Sequence, residues 1–292
     1  MGILKDKKAY LVFLLPAIAF YLFAVFFPIV QSLGLSMVQW NGIGTWKFAG
    51  ISNYISLFKD RIFYIAFVNN LVYLIVVVSM QISIGMFFAI LLCNLKHPAL
   101  VKTLYYIPCI ITTVAITQLF RSMYATEPLG IINQTLERIG LGHLANSWLT
   151  NVKTVLIMVS IPEGWRFTGM YMVIFYAALL SLDSEIIEAA HIDGAVGWLL
   201  LWHIKFPMIK PVIILAFTMC LTGSLRGFDI PYLLTNGGPG NVSELMSTYM
   251  YKKAFGSNQY GYGSALAVFI ILESILVISV LHLFSRTQKE NG

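Results

Sequence analysis

Charged side chains are scarce in this chain, at 11% of 292 residues, and in an apolar setting each one is costly and tends to face an interior or a cavity. Four stand within or beside apolar stretches: Glu163 and Arg166, three residues apart, and Arg226 and Asp229, at the same spacing. Side chains three apart meet on one helix face. The spacing therefore suits either an ion pair within each couple or contact with a polar ligand. A second group lies in a polar gap between apolar stretches: Glu188-Ala189-Ala190-His191-Ile192-Asp193-Gly194-Ala195, followed by Pro207 and Pro211. Two adjacent alanines make a helix face that another surface can approach closely, while Glu188 and Asp193 supply charges for a basic partner.

Covalent chemistry finds no support. His97, His143, His191, His203 and His282 are scattered without a His-Glu-x-x-His pair, and no Gly-x-Ser-x-Gly turn occurs. Cys93, Cys109 and Cys220 lack Cys-x-x-Cys spacing and read as packing residues. No catalytic or metal-binding residue is assigned. The chain has no Gly-x-x-x-x-Gly-Lys-Ser/Thr phosphate loop, so it has no means of its own to hold the phosphates of ATP.

The elements that position these residues are membrane helices. With 58% hydrophobic residues and a mean hydropathy of +0.79, the chain has more apolar surface than a soluble domain of this length can bury. A span needs about 20 apolar residues. Six candidates follow, at about residues 9–30, 66–93, 100–120, 154–181, 211–233 and 262–284, giving an all-α, polytopic fold with residues 1–292 as one transmembrane domain. Ala17-Ile18-Ala19 resembles a signal-peptidase site, but the apolar run continues to Val30, which favours an uncleaved first span. Asn69, Asn70 and Gln81 suit hydrogen bonds between helices, and Trp148 suits an interfacial belt.

Lys5, Lys7 and Lys8 precede the first span, Lys96 and Lys102 lie in a short second loop, and Arg286 and Lys289 follow the last span. The excess of cytoplasmic Lys and Arg in membrane proteins then puts both termini and the loop at 183–210 in the cytoplasm. The net charge of +6 is largely juxtamembrane and suits anionic lipid headgroups rather than nucleic acid. No internal inverted repeat or dense run of intramembrane carboxylates argues for a proton-coupled carrier.

The segment Glu188-Ala189-Ala190, two residues, Asp193-Gly194-Ala195, then Pro207 and Pro211, resembles the cytoplasmic Glu-Ala-Ala loop of ABC importer permeases. Leu234-Thr235-Asn236-Gly237-Gly238-Pro239 resembles the external turn of carbohydrate permeases. Likeness extends through Leu104 to Pro108, Gly130 to Asn133, Trp148-Leu149 and Phe228-Asp229. On these motifs the chain is identified as a member of the maltose-type sugar permeases.

The resemblance implies a type I ABC importer permease fold with a cytoplasmic coupling helix. Glu188, Ala189, Ala190, Asp193, Gly194 and Ala195 occupy the positions that dock in a groove of an ATPase subunit. It further implies a bacterial inner-membrane complex: a second, homologous permease subunit, two ATPase subunits that bind ATP and magnesium, and an extracytoplasmic sugar-binding protein docking on loops that include residues 121–153 and 237–261. The sugar path would run past Glu163, Arg166, Phe167, Met170, Gly223, Ser224, Arg226 and Gly227. Two arginines on that path would suit an acidic sugar; a phosphate ester such as a glycerol phosphodiester is the alternative solute, and a non-transporting scaffold the remaining one. Gly223 and Gly227, four apart, suit either a close helix contact or room for a ligand.

Overall fold

The computed structural model describes residues 7–290, and the helices follow the apolar runs. In chain order they are α1 (Lys7–Tyr21), a π-helical turn (Leu22–Phe26), α2 (Phe27–Ser36), the strand pair β1 (Val38–Gln39) and β2 (Lys47–Phe48), α3 (Ser52–Lys59), α4 (Arg61–Cys93), α5 (Pro98–Ile110), α6 (Thr113–Met123), α7 (Ile131–Arg138), α8 (Val155–Leu180), α9 (Ser184–Ile192), α10 (Gly197–Leu200), a π-helical turn (Leu201–Lys205), α11 (Phe206–Leu225), α12 (Asp229–Thr235), α13 (Met246–Tyr251) and α14 (Tyr260–Glu290). Four stretches are long and apolar enough to cross a membrane: Val12–Ser36, Arg61–Cys93, Gly197–Thr235 and Tyr260–Leu281. Two bent pairs, α5 with α6 at 98° and α8 with α9 at 72°, raise the number to six. Lys5, and the side chains of Lys7, Lys8, His282, Arg286 and Lys289, lie outside the described residues.

Three expectations are corrected. The span at 100–120 is not one straight helix: Ile111 and Thr112 adopt extended backbone, with ψ of 138° and 145°. The span at 211–233 begins earlier, because helix runs through both Pro207 and Pro211, with α10 and the π-helical turn Leu201–Lys205 leading directly into α11. Within it the helix α11 ends at Leu225, and the stretch resumes as α12 through Thr235. Arg226 and Asp229 therefore do not share a helix face. Asp229 instead opens α12, where a carboxylate complements the helix dipole.

The chain forms two compact units. The first takes residues through Phe63 together with Tyr249–Leu272. Here Asn53 on α3 donates Nδ2 to the carbonyl oxygens of Ser36 and Val38, 2.8 Å each, tying α3 to the end of α2 and the start of β1. Phe58, Phe63 and Phe269 pack edge to face. Asp60 accepts from Tyr249 Oη and, at 2.7 Å, from Tyr262 Oη, while its Oδ1 accepts from the Ile62 N–H. Lys253 stands over both tyrosine rings, 5.4 and 5.2 Å from their centroids. A cleft of about 830 Å³ opens beside this cluster, lined among others by Trp40, Asn41, Lys47, Lys59, Lys253 and Tyr262.

The second unit takes Tyr64–Thr248 and the residues from Glu273 onward. Its core joins α4, α8 and α11 through Leu74, Val78, Ile82, Phe175, Ala216 and Leu221. α5 lies so close to α8 that a side chain at Gly169 would fall on the Tyr105 carbonyl oxygen. Pro162 inside α8 cannot donate to the carbonyl of Met158, and Tyr124 Oη donates there instead at 3.1 Å. Trp148 Nε1 donates to Asn133 Oδ1 at 2.8 Å, and Asn133 is itself buried, so this tryptophan closes a loop core.

Two outcomes follow from this packing. Gly169→Val forces α5 off α8 and should cost at least the ~1–3 kcal/mol typical of overpacking, read as a lower unfolding midpoint of the detergent-solubilised protein. Burial pulls the Asp60 carboxyl up, but the hydrogen bonds from Tyr249, Tyr262 and the Ile62 N–H, with Lys253 nearby, outweigh it and hold the group below its ordinary value. The stability it contributes is present above about pH 3.9, the ordinary aspartate value, and is lost as pH falls through the lower folded value. The midpoint gap between wild type and Asp60→Asn should then be open at pH 7 and close on acidification below about pH 3.9.

Candidate functional site

Two features carry the candidate function. The first is a pocket of about 170 Å³ in the second unit, enclosed by α4, α8 and α11. Its position follows from hydrogen bonding. Gln81 on α4 is 3% exposed and donates Nε2 to the Glu163 carbonyl oxygen at 2.8 Å, while its Oε1 accepts from Cys220 Sγ at 2.9 Å. One carboxamide thereby joins three helices. Asn70 on the same helix donates to the last carbonyl of α11, so Gln81 and Asn70 carry the interhelical role expected of them, whereas Asn69 bonds the loop carbonyls of Val242 and Glu244 rather than another helix.

Five of the eight path residues meet in this pocket: Glu163, Phe167 and Met170 from α8, and Gly223 and Ser224 from α11. Gln81, Tyr171, Met219 and Cys220 line it too and were not assigned to the path from sequence. The period of α8 gave a usable signal for Tyr171, eight residues past Glu163 and four past Phe167.

Arg166, Arg226 and Gly227 lie elsewhere. Arg166 donates Nη1 to Thr113 Oγ1 at 2.8 Å and Nη2 to the Ile111 carbonyl oxygen at 3.5 Å, and sits 4.9 Å from the Phe167 ring centroid. It secures the bend between α5 and α6. Arg226 is exposed at the break after α11. Neither couple forms an ion pair among the described residues. Gly227 packs on Tyr73, whose ring carbon Cε1 would lie 2.7 Å from an added Cβ, whereas a Cβ at Gly223 meets nothing within 4 Å. The two glycines divide the two readings of their spacing between them.

The second feature is the knob at 183–195. Asp183 caps α9, its side chain accepting from the Glu185 N–H at 3.0 Å. At the other end Gly194 takes a φ of +83°, which glycine adopts without strain. The Asp193 N–H donates to Ala189, and the Ala195 N–H reaches back 2.8 Å to Ala190, satisfying the last carbonyls. Both ends of a nine-residue helix are thus closed within the chain. Ala190 is buried and Ala195 half-buried, while Glu188, Ala189, Asp193 and Gly194 are exposed. Ile192 is 87% exposed, and Ile186 and Val196 are exposed beside it. These apolar residues were missed from sequence, although an isoleucine between His191 and Asp193 in a polar loop was the available clue.

The expected external turn is built as a tight, internally bonded loop. Gly237 takes a φ of +73°, the Gly238 N–H donates to Thr235, and Ser243 Oγ donates to the Gly238 carbonyl oxygen. Pro239 follows and accepts from the Val242 N–H. Asn69 then ties the loop to α4 by donating Nδ2 to the carbonyl oxygens of Val242 and Glu244, at 2.7 and 2.9 Å.

Among the described residues no cluster of His, Cys, Asp and Glu is able to hold a metal ion. The arrangement offers a small, mostly apolar cavity with a few polar groups among helices, and an exposed helical knob.

Known proteins are similar to this chain in sequence and in fold. Residues 98–290 match the family described as binding-protein-dependent transport system inner membrane component. The chain is 34% identical over 290 residues to the probable ABC transporter permease protein YurN of Bacillus subtilis (strain 168), covering 98% of this chain and 99% of that one. It is 32% identical to the lactose transport system permease protein LacF of Rhizobium radiobacter, over 95% and 94% of the two chains. In three dimensions it is similar to a chain of a bacterial ABC transporter involved in the import of the acidic polysaccharide alginate, with a TM-score of 0.81, 23% identity and 96% of both chains covered. The helices, the knob and the sequence thus agree: the chain belongs to the family of inner membrane components of binding-protein-dependent transport systems, as a permease subunit and not itself an enzyme.

Proposed function

We propose that this chain is the membrane subunit of an ATP-driven importer of oligosaccharides. The observation that carries the reading is the α9 knob: a helix closed at both ends by its own chain, yet presenting Glu188, Ala189, Asp193 and an 87% exposed Ile192. An isoleucine so displayed beside charged residues suits a partner with an apolar pocket in a basic rim. The partner is an ATPase subunit, two of which hold the ATP and magnesium for which this chain has no phosphate loop. A second permease subunit and an extracytoplasmic binding protein complete the complex. Both termini and the knob lie in the cytoplasm.

Transport is by alternating access: closure of the ATPase pair pushes α9, and the helices around the pocket open to one side and then the other. No bond is made or broken in this chain.

Relatives named for lactose and for arabinooligosaccharides and the pocket's composition support a sugar. Ser224 supplies a hydroxyl, Phe167 and Tyr171 supply rings, and Glu163 on α8 supplies a carboxyl. With Arg166 engaged by Thr113 and Ile111, a neutral sugar fits this lining better than an acidic sugar or a phosphate ester.

Two measurements test the proposal. Glu188→Ala combined with Gly194→Pro should abolish co-purification of an ATPase from native membranes while a second permease is retained; equal recovery of the ATPase with both forms would sink the coupling role. Gly223→Leu starts from a position where an added Cβ meets nothing within 4 Å and takes up pocket volume, so it should cut uptake of neutral oligosaccharides by about tenfold or more, equivalent to about 1.4 kcal/mol, with the ATPase still bound. Unchanged uptake would remove the pocket from the path.

A further inference from the structure

Two acceptor atoms in the interior of the second unit lack a donor. Asn70 on α4 is 0% exposed and Glu273 on α14 is 7% exposed. Asn70 donates Nδ2 to the Leu225 carbonyl oxygen, at the C-terminal end of α11, and to Glu273 Oε1, at 3.5 Å each. Its own Oδ1 and the Oε2 of Glu273 are buried and unpartnered among the described residues. The two orphans belong to the same hydrogen-bonded pair.

An ionised carboxylate brings acceptors only, whereas a carboxylic acid brings one O–H donor. With Glu273 ionised, both orphan atoms stay bare, and a charge stands in an apolar interior with no cation bonded to it among the described residues. Such a burial is strongly unfavourable. One proton removes both defects: Oε2 becomes a donor, and Asn70 Oδ1 becomes its acceptor. The pair then closes as a reciprocal ring, with Nδ2–H to Oε1 and Oε2–H to Oδ1.

The pair also reaches the pocket. Leu225 ends α11, and its carbonyl is one of those that a helix terminus leaves without an internal partner. Asn70 supplies that partner, and Ser224 and Gly223, one and two residues back, line the pocket. We infer that Glu273 is a proton-carrying acid in the folded subunit at neutral pH, and that its clasp with Asn70 positions the pocket end of α11. Glu273 is a positioning residue in this role, and the inference does not depend on which solute is carried.

Infrared difference spectroscopy of the full-length, detergent-solubilised chain at pH 7 tests it, with wild type compared against Glu273→Gln in H₂O and D₂O. The expected result is a protonated-carboxyl stretching band that shifts on deuteration and disappears in the variant. Loss of carboxylate bands instead would overturn the inference. Unfolding midpoints supply the second readout: Glu273→Gln keeps a donor for Asn70 and should match wild type, while Glu273→Leu, similar in bulk but without a donor, should fall below it. Equal loss in both variants would also overturn the inference. Should Glu273→Gln fail to accumulate, Asn70→Ala carries the test, since the same band must persist and change frequency when its acceptor is removed; an unmoved band refutes the clasp.

Discussion

A carbonyl released from a helix in hydrocarbon has no water to turn to, and the shape of the second unit follows from how each release is answered. Three of the places where its helices break or lose an internal bond are Pro162, Ile111-Thr112 and the end of α11 at Leu225. In each case a side chain from another segment arrives with a donor: Tyr124 at Met158, Arg166 at Ile111, Asn70 at Leu225. The irregularities and the polar side chains form one system. At these three places a neighbour brings an N–H or O–H, and those neighbours in turn fix which helices lie together.

This explains why polar residues in the spans served structure more often than their scarcity suggested. Gln81 is spent on Glu163 and Cys220, and Arg166 on the α5–α6 bend. Because those donors are consumed inside the bundle, the pocket is lined by what remains: a serine hydroxyl, a carboxyl, rings and two thioether side chains. A pocket so composed offers shape and a hydroxyl more than charge.

Much of the architecture was legible in the sequence because lipid imposes a length rule that apolar runs obey directly. The knob was legible for a local reason, since Asp183, Gly194 and the alanines act within a dozen residues. What the sequence withheld were effects of long reach. Nothing near Ile111 announces that Arg166, 55 residues on, meets its carbonyl; nothing near Trp148 names Asn133 as its acceptor. The break after Leu225 was hidden by an apolar stretch that continues through it to Thr235, and with it the separation of Arg226 from Asp229. The exposure of Ile192 depends on what the rest of the chain leaves uncovered, which no local pattern encodes.

Gly223 and Gly227 stand one turn apart and carry no side chain for opposite reasons. Tyr73 fills the space at Gly227, so that position belongs to the fold. The space at Gly223 is open and belongs to the cavity. Variation at Gly223 can therefore reshape the cavity without disturbing the bundle, so that the form of the cavity and the integrity of the fold are set by separate residues.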